Sequence, residues 1–328
     1  MLLGIEKGNR SKDYVTAAKI MGIPYKLIDA KSSYVIDNIK DIDALIWHWS
    51  QENAHEKRSA YAIIKSVEMK GIKVYPNSNT CWMFDDKIFE KYLLEAAEVP
   101  MIKTMVFYEY EKAIRWLKTQ TFPLVYKLSH GAGSTNVRLV HNYEEAKKIC
   151  KIHFSTFLDP EFFLNLYYKK IKNIEDIKEY FKKPLKKYGN NNRGSILFQE
   201  FLPDNSYDIR VTVVGKKYYI FRRYVRENDF RASGSGKIDY CVDECDLEAI
   251  KIAVELSNKI NVQTMAYDFL YDKNHMLKIC EISYGFVGNA INRTPGWYDE
   301  NLIYHKEKTD VYKEIINLLV DEIGESIY

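Results

Sequence analysis

The stretch YKLSHGAGSTNV, residues 126–137, sets a lysine ahead of two glycines and then continues as strand-like sequence. A Walker phosphate loop runs the other way: its glycines come first, and Gly-Lys-Ser/Thr opens a helix. Here Lys127 precedes Gly131 and Gly133, with FPLVYKL reading as one strand and TNVRLV as the next. The order points to a strand–loop–strand unit. In such a unit the backbone N–H groups of Gly131, Gly133 and Ser134 can fold over an anion while Lys127 adds a point charge. A plain hairpin turn uses the same residue types.

The sequence around this loop changes character along the chain. Residues 1–76 alternate the short apolar runs LLGI, YKLID, ALIWHW and IKVYP with the helical spacing of VTAAKIMG and SAYAIIKSVEMKG. Strands separated by helices imply a parallel sheet, so a small α/β domain is expected over 1–80. DDKIFEKYLLEAAEV, 85–99, predicts an amphipathic helix whose acidic start suits the helix dipole and which Pro100 stops. A second segment, 81–195, adds the strands MIKTMVFY, FPLVYKL and TNVRLV, a charged helical insertion at 161–182 and a flexible loop, YGNNNRGS, at 188–195. From 196 to 328 the pattern is mostly β. DIRVTVVG and KKYYIFRR form a hairpin through Gly215, and VQTMAYDFLYD pairs with HMLKICEISY through the turn at 271–275. Helices are expected at 246–260 and from about 310. The fold class is therefore α/β joined to α+β.

Composition narrows the function classes. Forty-eight basic against 45 acidic residues leave a net charge of +3, which is no nucleic-acid footprint. No stretch approaches the ~18 apolar residues of a membrane span. The five cysteines lack paired spacing, and no second pair joins Cys241 and Cys245 in a zinc set. A reduced, cytoplasmic setting is expected.

Three further clusters carry chemistry. In FQEFLPDNSYDIRV, 198–211, Glu200, Phe201 and Leu202 form a crossover that can offer backbone groups to an adenine edge, and Asp208 can take ribose hydroxyls. FRRYVRENDFRASGSGK, 221–237, holds Arg222, Arg223 and Arg231, and arginine suits a bidentate grip on phosphate or carboxylate. Asp268 and Glu281 each sit in an apolar run, where a charge is costly unless compensated. Antiparallel pairing would bring these two together around a cation, and magnesium is held by one or two carboxylates plus phosphate oxygens. A half-exposed sheet would show the same two carboxylates. GIEKGNRS, 4–11, runs from a strand into a helix start, a place where anions bind. His130 adjoins the glycine loop, and Trp47, His48 and Trp49 end a strand.

Taken in order, a DDK lysine, a lysine before a glycine hairpin, QEFL followed by Asp-x-Arg, an FRAS loop, then Asp and Glu-x-Ser, the chain resembles the ATP-grasp superfamily over about residues 80–300. Within it, the chain resembles the branch of ribosomal-protein S6 glutamate ligases. The resemblance implies a fold of two β-rich lobes clasping ATP, preceded by a small α/β domain. It implies that Lys87 and Lys127 contact the ATP phosphates and that Gly131 to Ser134 form a lid. Glu200 to Leu202 would be the adenine hinge and Asp208 the ribose carboxylate. Arg210, Arg222 or Arg223, and Arg231 would bind the transferring phosphoryl group, while Asp268 and Glu281 would hold Mg2+. The family usually has Glu-x-Asn where this chain has Glu281-Ile282-Ser283, so Ser283 stands at the third metal position; Ser233 also replaces a frequent asparagine. The implied activity is an ADP-forming carboxylate–amine ligase with small-molecule substrates, working through an acyl phosphate. The likeness extends to enzymes of surface-polysaccharide loci, where an amino acid would join a sugar acid or peptide, and to homodimers. A phosphotransferase and a non-catalytic nucleotide-binding scaffold are the alternatives that the two serines keep open.

Overall fold

The computed structural model describes residues 1–8, 10–50, 53–131, 137–155, 166–167, 172–177, 193–227, 229–232 and 235–325. Its first strands form the parallel sheet that strand–helix alternation requires. β1 (Leu3–Glu6) lies between β2 (Tyr25–Ile28) and β3 (Ala44–Ile46), and β4 (Lys73–Tyr75) adds the far edge. Parallel neighbours cannot be joined by a tight turn, so α1 (Ser11–Ile20), α2 (Val35–Asn38) and α3 (Ala54–Glu68) make the crossovers.

After α4 (Ser78–Cys81), the helix α5 (Lys87–Ala96) starts at Asp86, whose carboxylate accepts from Ile88 N at 3.0 Å. A cap of this kind is worth about 1 kcal/mol. The buried face of α5 carries Lys87, Glu90 and Leu94, so two of its three inward residues are charged. The central sheet has the order β5-β8-β6-β7, from β5 (Thr104–Phe107), β6 (Leu124–Lys127), β7 (Val137–Val140) and β8 (Ile196–Glu200). Helices α6 (Tyr110–Leu117) and α7 (Tyr143–His153) pack on it around Tyr126, Ile149 and Phe198, a core of its own. β8 pairs with both β5 and β6 and so belongs to the central sheet. The charged insertion at 161–182 and the 188–195 loop lie mostly outside the described residues.

The seven-stranded C-terminal sheet is built from β9 (Tyr207–Val214), β10 (Lys217–Tyr224), β11 (Ile238–Asp239), β12 (Thr264–Tyr271), β13 (Leu277–Ser283), β14 (Trp297–Tyr298) and β15 (Tyr304–His305). Its spine runs β13-β12-β9-β10. Gly215 turns the β9–β10 hairpin at φ +60°, and a Cβ there would come within 2.6 Å of Leu318 Cδ2. The turn and the close approach both require glycine. The two-residue strands β11, β14 and β15 are too short to show any alternation and were not expected from the sequence. Helix α8 (Leu247–Ile260) covers one face, while α9 (Gly288–Ile291) and α10 (Val311–Glu325) follow the sheet. The N-terminal and C-terminal sheets share apolar cores: Leu45 and Trp47 join Val211 and Tyr267 in one, and Ile5 and Tyr14 join Phe221 and Ile315 in another.

Candidate active site

Alternation along β9, β10 and β12 separates core from chemistry. Ile209, Val211, Ile220, Met265 and Tyr267 face Ala253 and Leu256 of α8. The opposite face carries Asp208, Arg210, Arg223 and Asp268. The registers pair Arg210 with Asp268, Arg223 with Asp208 and Asp268 with Glu281, and antiparallel partners share a face. The pairing of Asp268 with Glu281 is the one expected from the 271–275 turn.

These side chains form one charged network. Arg210 donates from Nε and Nη2 to the two oxygens of Asp268, at 2.6 and 2.7 Å. Arg223 grips Asp208 at 2.8 and 2.5 Å and also reaches Asp268 at 2.7 Å. Burial alone would raise the pKa of Asp268; Arg210 and Arg223 outweigh it and hold the carboxyl well below the usual range. Arg210, Arg223, Asp268, Glu281 and Ser283 line a cavity of about 420 Å3, together with Phe84, Phe286 and Arg10 from other elements. That volume suits a small molecule.

Three of the expected residues have other partners or other places in the structure. Arg222 follows the alternation to the opposite side from Arg223, where it pairs with Asp243 and Asp246 and stacks on Tyr207 at 4.6 Å. It is not part of the cavity. Arg231 is held by Asp229 at 2.6 Å and lies in a separate open depression with Phe230 and Lys237. Asp208, expected at the ribose, is buried and accepts from Arg223 at both oxygens. Gly133, Ser134 and Ser233 lie outside the described residues.

The base of the glycine loop is tied to the Asp-Asp-Lys turn residue by residue. Asp85 accepts from Gly131 N at 2.8 Å, and His130 Nε2 lies 3.3 Å from Asp86. Lys87 donates from its backbone to Ser129 O and from Nζ to Gly131 O, both at 2.9 Å. Lys87 Nζ is also 3.5 Å from Glu281. Burial works against its charge, yet Glu281, Glu90 and Asp85 outweigh that and raise its pKa. Lys127 Nζ lies 3.4 Å from Cys280 O and lines a space of about 20 Å3 with Glu90 and Gln199. The expected hinge, Glu200, Phe201 and Leu202, carries the chain from the central sheet to β9; Phe201 meets Phe230 edge-on at 5.8 Å.

Sequence reasoning missed Glu90, which lines the cavity and accepts from Ile282 N at 3.3 Å. Burial first, and then Glu281, push its carboxyl up to about 8. The available signal was a second charge three residues after Lys87 on the inward face of an amphipathic helix.

The donor set suits magnesium bound together with phosphate. Asp268, Glu281 and Ser283 offer hard oxygens, and among the described residues no group of three or more His, Cys, Asp or Glu could hold a metal alone. Glu281 is the more open carboxylate, its side chain 34% exposed against 9% for Asp268.

The parallel leading sheet followed by two β-rich lobes is the arrangement of the ATP-grasp fold. No family model matches the chain. Among curated proteins it is 25% identical to the alpha-aminoadipate–LysW ligase LysX of Saccharolobus solfataricus over 283 residues, 83% of this chain and 87% of that protein. Two solved structures give the same fold. A RimK-domain ATP-grasp protein of Sphaerobacter thermophilus matches 98% of this chain and 100% of its own, with TM-score 0.59 and 15% identity. The biotin carboxylase domain of Hydrogenobacter thermophilus 2-oxoglutarate carboxylase, solved with MgADP and bicarbonate, matches 97% and 69%, with TM-score 0.63 and 15% identity. Among the described residues no helix is long and apolar enough to cross a membrane.

Proposed function

We propose that the chain is an ADP-forming carboxylate–amine ligase working through an acyl phosphate. The observation that carries the reading is the convergence of Arg210, Asp268 and Glu281 on one sheet face, with Lys87 reaching Glu281 from α5. A carboxylate oxygen attacks the γ-phosphorus of ATP as the bond to ADP breaks. An amine nitrogen then attacks the acyl carbon, loses a proton and expels phosphate. Phosphoryl transfer needs positioning and charge neutralisation more than covalent help. The Arg210 fork, already fixed on Asp268, supplies a preorganised donor for the transferring group. Lys87 neutralises phosphate charge beside Glu281. Asp268, Glu281 and Ser283 would hold Mg2+, which neutralises phosphate charge when bound. Lys127 completes the phosphate contacts from β6.

The amino acid or amine acceptor, the sugar-acid or peptide carboxylate of surface-polysaccharide assembly, the cytoplasmic setting and the homodimer belong to the same proposal and rest on the sequence resemblance. The test uses Mg2+, ATP and hydroxylamine with pools of amino acids, peptides and sugar acids, following ADP and hydroxamate. Hydroxamate with ADP is the expected result. ADP without hydroxamate would replace the ligase by a phosphotransferase, and no ADP with any pool would favour the nucleotide-binding scaffold.

A further inference from the structure

We propose that Arg10 is the seat of a carboxylate that the reaction does not consume, so that one substrate of this enzyme carries a second, unreacted carboxylate. The inference rests on the ligase reading for the role of the cavity and names the substrate class that the cavity selects.

The argument is one of charge within the 420 Å3 cavity. Its walls hold three arginines and four carboxylates: Arg10, Arg210 and Arg223 against Asp85, Glu90, Asp268 and Glu281. Most are already matched. Arg210 and Arg223 share Asp268, Lys57 pairs with Asp85 at 3.2 Å, and Lys87 faces Glu281 at 3.5 Å. Among the described residues, Arg10 is the one cation of the cavity wall with no carboxylate partner. It donates from Nη1 to Nε2 of His48. A protonated imidazole could not accept that bond, and burial together with Arg10 holds the His48 pKa well below 6.5. His48 therefore fixes the guanidinium without neutralising it.

Arg10 reaches the cavity from a different part of the fold. It caps α1, after the N-terminal sheet, whereas Arg210 and Asp268 belong to the C-terminal sheet. His48 in turn packs against Tyr284 at 5.3 Å, directly after Ser283, so the Arg10 end is braced against the metal end. The wall is apolar at Phe84, Phe221, Phe286 and Ile291. A guanidinium fork matches the planar geometry of a carboxylate better than a lysine would. A ligand with a reacting carboxylate or amine at the Arg210 end and a second carboxylate at the Arg10 end satisfies both. The second carboxylate can belong to the activated acid, as in a dicarboxylate, or to the amine, as in an amino acid.

The test is calorimetric titration of the full chain, in the presence of Mg·ADP, with succinate, glutarate and adipate on one arm and glycine on the other. Glutaramide and ethanolamine are the counterparts that lack a carboxylate. Wild-type protein is expected to bind at least one of the four carboxylates and neither counterpart. Arg10→Met should weaken that binding by about ten- to hundred-fold, the range for a charged hydrogen-bonded contact, with Arg10→Lys between the two. Arg10→Met should remain folded at the assay temperature with the Mg·ATP affinity of wild type, the melting temperature falling only by what the lost His48 contact costs. Binding by a dicarboxylate places the second carboxylate on the acid, and binding by glycine places it on the amine. Equal binding by Arg10→Met, or no carboxylate binding by wild type, overturns the inference. Failure of wild type to bind Mg·ATP sinks the ligase reading separately.

Discussion

Arg210 and Asp268 meet across β9 and β12 in a bidentate pair, at 2.6 and 2.7 Å, while the second oxygen of Asp268 also takes Arg223 at 2.7 Å. The carboxylate thus orients two guanidinium groups before any phosphate arrives. A metal bound at Asp268 would share that oxygen with the arginines. Glu281, its cross-strand partner, faces Lys87 and is the more accessible carboxylate.

Arg210 is the arginine to remove first. Losing one preorganised donor typically costs about 10²–10³ in rate. Arg210→Ala should lower turnover by that much, and Asp268 keeps Arg223 as a partner, so the variant should still fold. Arg210→Lys keeps the charge without the fork and should recover only part of the rate. Steady-state ADP release decides, and a wild-type rate in Arg210→Ala would remove this residue from the site.

Arg222 and Arg223 are adjacent in sequence but should behave differently. Arg222→Ala leaves Asp246, fully buried, without its guanidinium, which predicts a loss of about 1–3 kcal/mol in stability. Turnover at a permissive temperature should stay near wild type, because Arg222 faces away from the cavity. Arg223→Ala strips Asp208 of its partner and should cost about 3–5 kcal/mol as well as activity. Thermal unfolding beside turnover checks both. A large loss of kcat in a folded Arg222→Ala would show that the alternation argument fails.

Glu281→Gln isolates the metal. It removes one of the two carboxylates proposed to hold Mg2+ while leaving the Arg210–Asp268 pair intact. The Mg2+ concentration for half-maximal turnover should rise by at least about tenfold, the lower end of what is seen when even indirect metal contacts are lost. Ser283→Ala should give a smaller shift in the same direction. An unchanged Mg2+ requirement in Glu281→Gln would take that residue out of the metal set.

The sequence carried much of this arrangement because period-two alternation survives in long strands. β9, β10, β12 and β13 run for seven or eight residues each, enough to place Arg210, Asp268 and Glu281 on one face. The same alternation separates Arg222 from Arg223, yet a run of basic residues hides it, because either arginine satisfies a motif. The pairing of Asp208 is hidden for a different reason. Its partner lies fifteen residues away across a hairpin, and only the register with Arg223 shows that its charge is already used. Glu90 is legible only through the cavity that gathers residues from separate segments, whereas Arg10 lies in the 4–11 stretch that the sequence marks as a place for anions.

His48 makes the pairing with Arg10 testable through pH. Burial, and then the Arg10 charge, hold its folded pKa well below 6.5, while the unfolded imidazole titrates near that value. Between the two values the unfolded chain binds the extra proton. Stability from this group is therefore complete above about pH 6.5 and declines as pH falls. Wild-type melting temperature should drop between pH 7.5 and pH 5, and His48→Gln should flatten that part of the drop. Glutamine can still accept from Arg10, so carboxylate binding at neutral pH should largely persist in the variant while its acid sensitivity is reduced. An unchanged slope in His48→Gln would mean that the imidazole is not held neutral by its setting.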